Sequence, residues 1–358
     1  MWTRARPREC GVAGCPVRKV FGSPRKEPHV TTDGHGPRQY RASASGRYRS
    51  ARLCGLALVG VSALLLAACS SKSEASPAAA FTQSSAASHG VYVALGDSYT
   101  AGPGIPDQTG TPSGCDRSSG NYPALVAQSL GLSGTQYDDV SCSGARITNL
   151  TAAQDVNGGV NPAQLSALSA NDTIVTLGIG GNDVDFAGVL TRCVEMDIAP
   201  SLIGSWASDS TPCQAYYSSG TNQIDQKIQD ASDRLASALK QISQRAPHAR
   251  IYVVGYPDLL PANGGNCAHT LGITSGDLTF LNQEELRLNA MLDQQARAAG
   301  AVYVDTYDPS QGHDACSDAN ARWTEPLLPS SAAAPLHPNA LGERGMADAV
   351  IAAIKTAG

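Results

Sequence analysis

Four short runs, Val91–Leu95, Thr173–Leu177, Ile251–Gly255 and Val302–Asp305, are mostly apolar rather than alternating. A strand with one face in water alternates apolar and polar residues, whereas a strand covered on both faces reads as a continuous apolar run. The four therefore read as buried strands of a parallel sheet, with a weaker fifth near Tyr137–Ser141. Helical patterns separate them. From Ile224 to Arg245, the residues Ile224, Ile228, Ala231, Leu235, Leu239 and Ile242 recur at three- and four-residue steps, and Pro247 ends the pattern. A second helix is expected from about Asp277 to Ala299. A third, from Pro338 to Ile354, places Met346, Val350, Ile351 and Ile354 on one face. Strands alternating with helices predict an α/β fold, a flavodoxin-like three-layer α/β/α sandwich around a parallel sheet. In its strand order 2-1-3-4-5, the switch point lies between strands 1 and 3, and sites open there at the carboxyl ends.

The N-terminal quarter carries other signals. Residues 1–52 hold twelve of the 26 Lys and Arg and little apolar periodicity, so residues 1–40 are expected to be disordered or an over-extended gene start. Residues 41–68 read as a signal peptide, with Arg41, Arg47, Arg49 and Arg52 as its basic region and Leu53–Ala68 as its apolar region. That run is short of the about twenty residues a spanning helix needs. It ends Leu66-Ala67-Ala68-Cys69, which resembles the lipobox of bacterial lipoproteins, where the cysteine is acylated. The resemblance implies a lipid anchor at Cys69 on the outer face of the cell membrane; an ordinary signal peptide cut nearby, and release from the cell, is the other reading. Residues 69–89, rich in Ser and Ala, read as a flexible tether, and residues 90–358 as one large folded domain.

Twelve basic and three acidic residues precede position 69, which leaves 14 basic and 28 acidic residues and a net charge of −14. A domain so acidic is not built for nucleic acid, nor for electrostatic docking on anionic lipid. After Cys10, Cys15, Cys54 and Cys69, six cysteines remain: Cys115, Cys142, Cys193, Cys213, Cys267 and Cys316. An even number in an exported chain reads as three disulfides, with fifteen connectivities open. Zinc is the rival, but no CxxC or histidine-bearing spacing supports it.

Three segments carry chemistry. Gly96-Asp97-Ser98-Tyr99 ends the first apolar run, so Ser98 stands where a buried strand breaks into a turn. A serine hydroxyl is a poor nucleophile until a base takes its proton. Gly180-Gly181-Asn182-Asp183 follows the second of the four apolar runs, the third strand by count, and His337-Pro338-Asn339 precedes the last helix. Of seven histidines, His29 and His35 fall in the leader and His89 in the tether; His248 sits in a surface turn, and His269 and His313 in polar loops. Pro338 presets the backbone after His337 and so the direction of its imidazole. No G-x-S-x-G occurs, so the nucleophile elbow of α/β-hydrolases is absent.

Together these segments, in order and spanning Val91 to the C-terminus, resemble the SGNH or GDSL family of serine esterases and lipases. The resemblance implies that Ser98 is the nucleophile, His337 the base, and the oxyanion hole the N–H of Ser98, the N–H of Gly144 (in Ser141-Cys142-Ser143-Gly144-Ala145) and the amide of Asn182. It implies no cofactor and no metal. The related extracellular lipases pair cysteines that neighbour in sequence, which implies Cys115–Cys142, Cys193–Cys213 and Cys267–Cys316.

The chain departs from the family at one place. Many members carry Asp three residues before the histidine, and here that position is Ala334. Either a main-chain carbonyl, most simply that of Ala334, accepts the Nδ1 proton in a Ser–His dyad, or Glu325 or an acid of the Asp314–Asp318 loop folds back. The segment from Asp183 to Gly220, with Phe186, Val189, Leu190, Ile198, Leu202, Ile203 and Trp206 bracketed by Cys193 and Cys213, reads equally as an acyl pocket or lid and as a core-packed insertion. The expectation is a monomeric, exported carboxylester hydrolase acting on acyl esters, lipids or phospholipids. Two rivals stand beside it: a polysaccharide O-deacetylase of the same fold, disfavoured by an aromatic content of 5%, and a surface lipoprotein that binds a ligand without turning it over.

Overall fold

A computed structural model of the chain describes residues 91–357, apart from 203–209, 221, 263, 265 and 266. The readings of residues 1–40, 41–68 and 69–89, and of Cys69, lie outside the described residues, as do Ile203 and Trp206.

Five parallel strands form the central sheet: β1 (Val91–Gly96), β2 (Tyr137–Asp139), β3 (Asp172–Gly178), β4 (Arg250–Val254) and β5 (Val302–Val304). Their spatial order is β2-β1-β3-β4-β5, the flavodoxin-like order that the alternation of strands and helices predicts. Successive side chains of a strand point to opposite faces. Val93, Leu95, Val175, Leu177, Ile251 and Val253 accordingly pack on one side, and Tyr92, Ala94, Ile174, Tyr252, Val254 and Val304 on the other. Strand β2 is one of the two edges, three residues long and only half covered, and its apolar signal is correspondingly weak.

Five longer helices complete the layers: α1 (Tyr122–Ser129), α2 (Phe186–Leu202), α3 (Gln223–Arg245), α4 (Ser275–Ala298) and α5 (Ala340–Ala357). On α3 the stripe of Leu235, Leu239 and Ile242 is fully buried against the sheet together with Leu288 and Leu292 of α4. Burial of each such side chain is worth about 1.5–3 kcal/mol. Asn222 starts α3 by accepting the N–H groups of Ile224 and Asp225, and Thr274 starts α4 by accepting that of Asp277. On the opposite face, α1 and α5 bury Tyr122, Val126, Met346 and Val350. The last helix starts two residues after the expected Pro338, because Asn339 Oδ1 caps it by accepting the N–H groups of Leu341 and Gly342 at 2.9 and 3.1 Å.

The six cysteines are joined as Cys115–Cys142, Cys193–Cys213 and Cys267–Cys316. The first closes the loop that follows β2. The other two lie in a satellite apolar cluster with Leu190, Leu259, Leu260, Leu278 and Leu281. Two short antiparallel hairpins, Gln108–Thr109 with Arg117–Ser118 and Gln154–Val156 with Gly159–Asn161, stand apart from the main sheet. Among the described residues no helix is long and apolar enough to cross a membrane.

Candidate active site

Strands β1 and β3 are neighbours and end level, with Gly96 opposite Gly178. Each then breaks into a single helical turn, Ser98–Ala101 and Gly181–Val184. The first is capped by Asp97, whose Oδ1 accepts the Tyr99 N–H at 3.0 Å. Gly102 closes it at φ 76°, a left-handed conformation natural to glycine. Ser98 thus opens the turn, where a backbone N–H has no intrahelical acceptor.

His337 reaches this serine from the other end of the chain. Its Nε2 lies 2.7 Å from Ser98 Oγ, and its Nδ1 lies 2.7 Å from the carbonyl oxygen of Pro335. A carbonyl only accepts, so Nδ1 carries the ring proton and Nε2 presents its lone pair to the serine hydroxyl. Burial lowers the imidazole below its ordinary value, against the opposing pull of the Pro335 carbonyl. The ring is therefore neutral at neutral pH, with the Nε2 lone pair free to take a proton.

The carbonyl facing the imidazole is that of Pro335, not of Ala334, which corrects the expectation from sequence. The Ala334 carbonyl accepts the backbone N–H of His337 itself at 3.2 Å. Leu336 stands between at φ 62°, a conformation that costs a residue with a side chain about 1–3 kcal/mol. The resulting tight turn aims the Pro335 carbonyl at the ring. Tyr99 secures it by donating its hydroxyl to the Leu336 carbonyl at 2.6 Å.

The candidate acids are committed elsewhere. Glu325 is fully buried, and its carboxylate accepts Asn339 Nδ2 at 2.8 Å and the Ser330 N–H at 2.8 Å, beside Arg322 at 3.2 Å. Burial alone pushes this carboxyl up, but the bonds from Asn339, Ser330 and Ser331 outweigh it and hold it below the usual range. Asp314 Oδ1 accepts the N–H of Cys316 and Asp318 Oδ1 that of Asn320. Glu325 still serves the histidine through its backbone: its N–H donates to the His337 carbonyl at 3.0 Å, and its carbonyl accepts the Leu336 N–H at 3.1 Å.

Asn182 lines the same cleft as Ser98 and His337. Its Nδ2 donates one proton to the Ala145 carbonyl at 2.9 Å, and an amide nitrogen has a second to give. The loop of Gly144 is bound at several points. Cys142 N–H donates to the Gly96 carbonyl at 3.0 Å, Ser143 N–H to the Cys115 carbonyl at 3.0 Å, and Gln154 Nε2 to the Ser143 carbonyl at 2.8 Å. Gly144 itself is left-handed at φ 76°, and among the described residues nothing accepts its N–H. It does not line the cleft; its neighbour Ala145 is what Asn182 holds. Asp183, next to Asn182, accepts the Ile147 N–H at 2.9 Å and so locks this loop to the Asn182 turn.

The cleft encloses about 650 Å³ with its open mouth included, and its walls are Phe186, Ala187, Leu190, Leu259, Leu288 and Leu336. Three of these come from the start of α2, so the segment after Asp183 shapes the cleft at one end while Val189 and Cys193 pack into the core. Sequence reasoning missed Gln164, whose amide bridges both backbone groups of Gly96 at 2.8 and 2.9 Å. It also missed Tyr256, which lines the cleft and bonds to Asp97. A serine beside a neutral imidazole, donors nearby and an apolar channel can together carry out acyl transfer.

The sequence model of the GDSL-like Lipase/Acylhydrolase family matches residues 94–344. Lipase 2 of Streptomyces coelicolor is 39% identical over 259 residues, which cover 72% of this chain and 83% of that protein. A lipase of Streptomyces rimosus is 32% identical over 228 residues, covering 64% and 74%. Among solved structures, phospholipase A1 from Streptomyces albidoflavus NA297 superposes with a TM-score of 0.59 at 29% identity, covering 75% of this chain and 99% of that one. The extracellular lipase of Streptomyces rimosus superposes with the same score and identity, covering 74% and 99%. With the family's motifs at the ends of β1 and β3 and before α5, the chain belongs to the GDSL-like lipase/acylhydrolase family and is a carboxylic ester hydrolase.

Proposed function

We propose that this protein is an exported serine esterase or lipase that cleaves acyl esters of lipids, phospholipids included, through a Ser98–His337 dyad. The observation that carries the reading is the pair of 2.7 Å contacts that hold the imidazole between Ser98 Oγ and the Pro335 carbonyl. As Ser98 Oγ attacks the ester carbon, its proton passes to His337 Nε2 and the carbonyl electrons move onto oxygen. The N–H of Ser98 and the Asn182 amide, which both line the cleft, receive that oxyanion; a single such donor is worth about 10²–10³ in rate. The intermediate collapses with cleavage of the ester C–O bond, and Nε2 returns the proton to the departing alcohol. Water, deprotonated by the same nitrogen, then attacks the acyl-serine; the acyl–Oγ bond breaks, Nε2 returns the proton to Ser98 Oγ, and the acid departs. Pro335 stabilises the imidazolium through its carbonyl dipole in place of a carboxylate.

The apolar walls of the cleft favour an acyl chain over a sugar. Three disulfides fit an oxidising compartment. Relatives named as lipases and a phospholipase A1 support the substrate class, and one named as extracellular supports export. Lipid attachment at Cys69 and a monomeric state belong to the same proposal. The test is hydrolysis of p-nitrophenyl esters of graded chain length, with Ser98→Ala as control. Turnover that falls by about 10⁴-fold or more in the variant is expected; equal turnover in the variant would remove Ser98 from the mechanism.

A further inference from the structure

The carboxyl ends of β1, β3 and β4 meet at one phenol. Tyr256 stands two residues beyond β4, and its hydroxyl donates to Asp97 Oδ2 at 2.6 Å while accepting the Gly181 N–H at 2.8 Å. The other oxygen of Asp97 holds the Tyr99 N–H, inside the turn that presents Ser98. Gly181 immediately precedes Asn182. The backbone that carries the ring is anchored, because Asn289 of α4 bonds both the N–H and the carbonyl of Tyr256 at 2.8 and 2.9 Å. Tyr99 packs edge-on against it with ring centroids 5.1 Å apart. A Cβ added at Gly181 would lie 3.1 Å from the Tyr256 oxygen, so the close approach is built into the sequence.

We propose that Tyr256 is a positioning residue for ester hydrolysis, its hydroxyl bonded to ionised Asp97 so as to set the Asn182 turn against the oxygen that develops beside Ser98. The proposal rests on the Ser98–His337 reading above. Oxyanion donors accelerate a reaction only if they are fixed before charge develops, and a misplacement of about 1 Å costs about 10²-fold. A phenol has one proton. With Asp97 ionised, that proton goes to the carboxylate and the oxygen lone pairs face the Gly181 N–H. A protonated Asp97 competes as a donor for the same oxygen, and the order of the chain is lost.

The bond should therefore be felt in the pH profile. Burial pushes Asp97 up to about 7, with the Tyr256 and Tyr99 bonds pulling it down and Asp183 pushing it up. The groups that face Asp97 are Tyr99 from its own turn, Tyr256 from beyond β4 and Asp183 from the turn after β3. Arg234 of α3 stands behind Asp183 at 3.5 Å, and Glu285 of α4 faces Tyr99.

The experiment compares Tyr256→Phe, Asp97→Asn and Ser98→Ala with the unaltered protein. It uses a soluble p-nitrophenyl ester across the pH range, with rates expressed per site titrated by an organophosphonate. Tyr256→Phe should lower kcat about 30- to 100-fold with KM within about threefold, the cost of a misplaced donor. It should also move the acid limb to lower pH, because Asp97 then has no phenol through which to act on the Asn182 turn. Asp97→Asn keeps the shape of the group and should move the limb to lower pH, where His337 titrates. Loss of thermal stability and of titratable sites, with kcat per site and the acid limb unchanged, would make Tyr256 a structural residue and overturn the proposal. Ester turnover that survives Ser98→Ala would instead defeat the underlying reading, and the proposal with it.

Discussion

Glu325 accepts the side-chain amide of Asn339 at 2.8 Å, two residues beyond His337, and makes no bond to the imidazole between them. The last carboxylate before the histidine in sequence is thus a fastener of its loop. Arg322 beside it is also buried. Removing the charge of one partner from a buried pair leaves the other uncompensated, at a cost of about 3–5 kcal/mol.

Glu325→Gln should accordingly lower the thermal midpoint while leaving kcat per titrated site within about threefold of the unaltered enzyme. Misorienting a triad histidine costs about 10⁴-fold in kcat. A loss on that scale in well-folded Glu325→Gln would mean that the carboxylate, and not the Pro335 carbonyl, orients His337.

Much of this arrangement was legible from residue order. Strands covered on both faces announce themselves as apolar runs, so β1, β3, β4 and β5 were found to within a residue or so, and with them the places where Ser98 and Asn182 had to stand. The disulfide pairing came only through resemblance. What stayed hidden depended on backbone conformation or on contacts distant in sequence. The carbonyl that faces His337 was misassigned by one residue because the left-handed turn at Leu336 leaves no mark on a leucine. Tyr256 meets Asp97 across 159 positions, and a lone tyrosine after a strand has no pattern around it. Gln164 likewise secures Gly96 across 68 positions from a short turn that carries no motif.

Substrate length is open to a direct test at the mouth of the cleft. Ala187 is exposed yet lines the cleft beside Phe186 and buried Leu190. A phenyl ring at that position would occupy space that only a long acyl chain uses. Ala187→Phe should therefore reduce kcat/KM for dodecanoyl esters at least about tenfold, within the 1–3 kcal/mol that apolar pockets discriminate, and leave acetyl esters within about twofold. An equal effect at every chain length would show that the acyl group lies elsewhere.

The buried carboxyls make a further prediction about stability against pH. Burial is the first cause for each of them: it pushes Asp97 and Asp258 up to about 7 and raises Glu285 and Glu343 well above the ordinary range. In the unfolded chain such groups titrate near about 4. Between pH 4 and 7 the folded state thus binds more protons than the unfolded one, so stability falls as pH rises through that window. His337, lowered by burial, acts in the opposite sense near its ordinary value, but it is one group against four. Glu325, held low, contributes stability above its unfolded value that is lost as pH falls through its lower folded value. The thermal midpoint should therefore climb from pH 8 to about pH 5 and drop again in stronger acid. Asp258→Asn should flatten the climb, because the amide does not titrate. A midpoint that declines steadily from pH 8 to pH 5 would show that these carboxyls are ionised in the folded protein, and that Asp97 does not titrate where the Tyr256 bond requires.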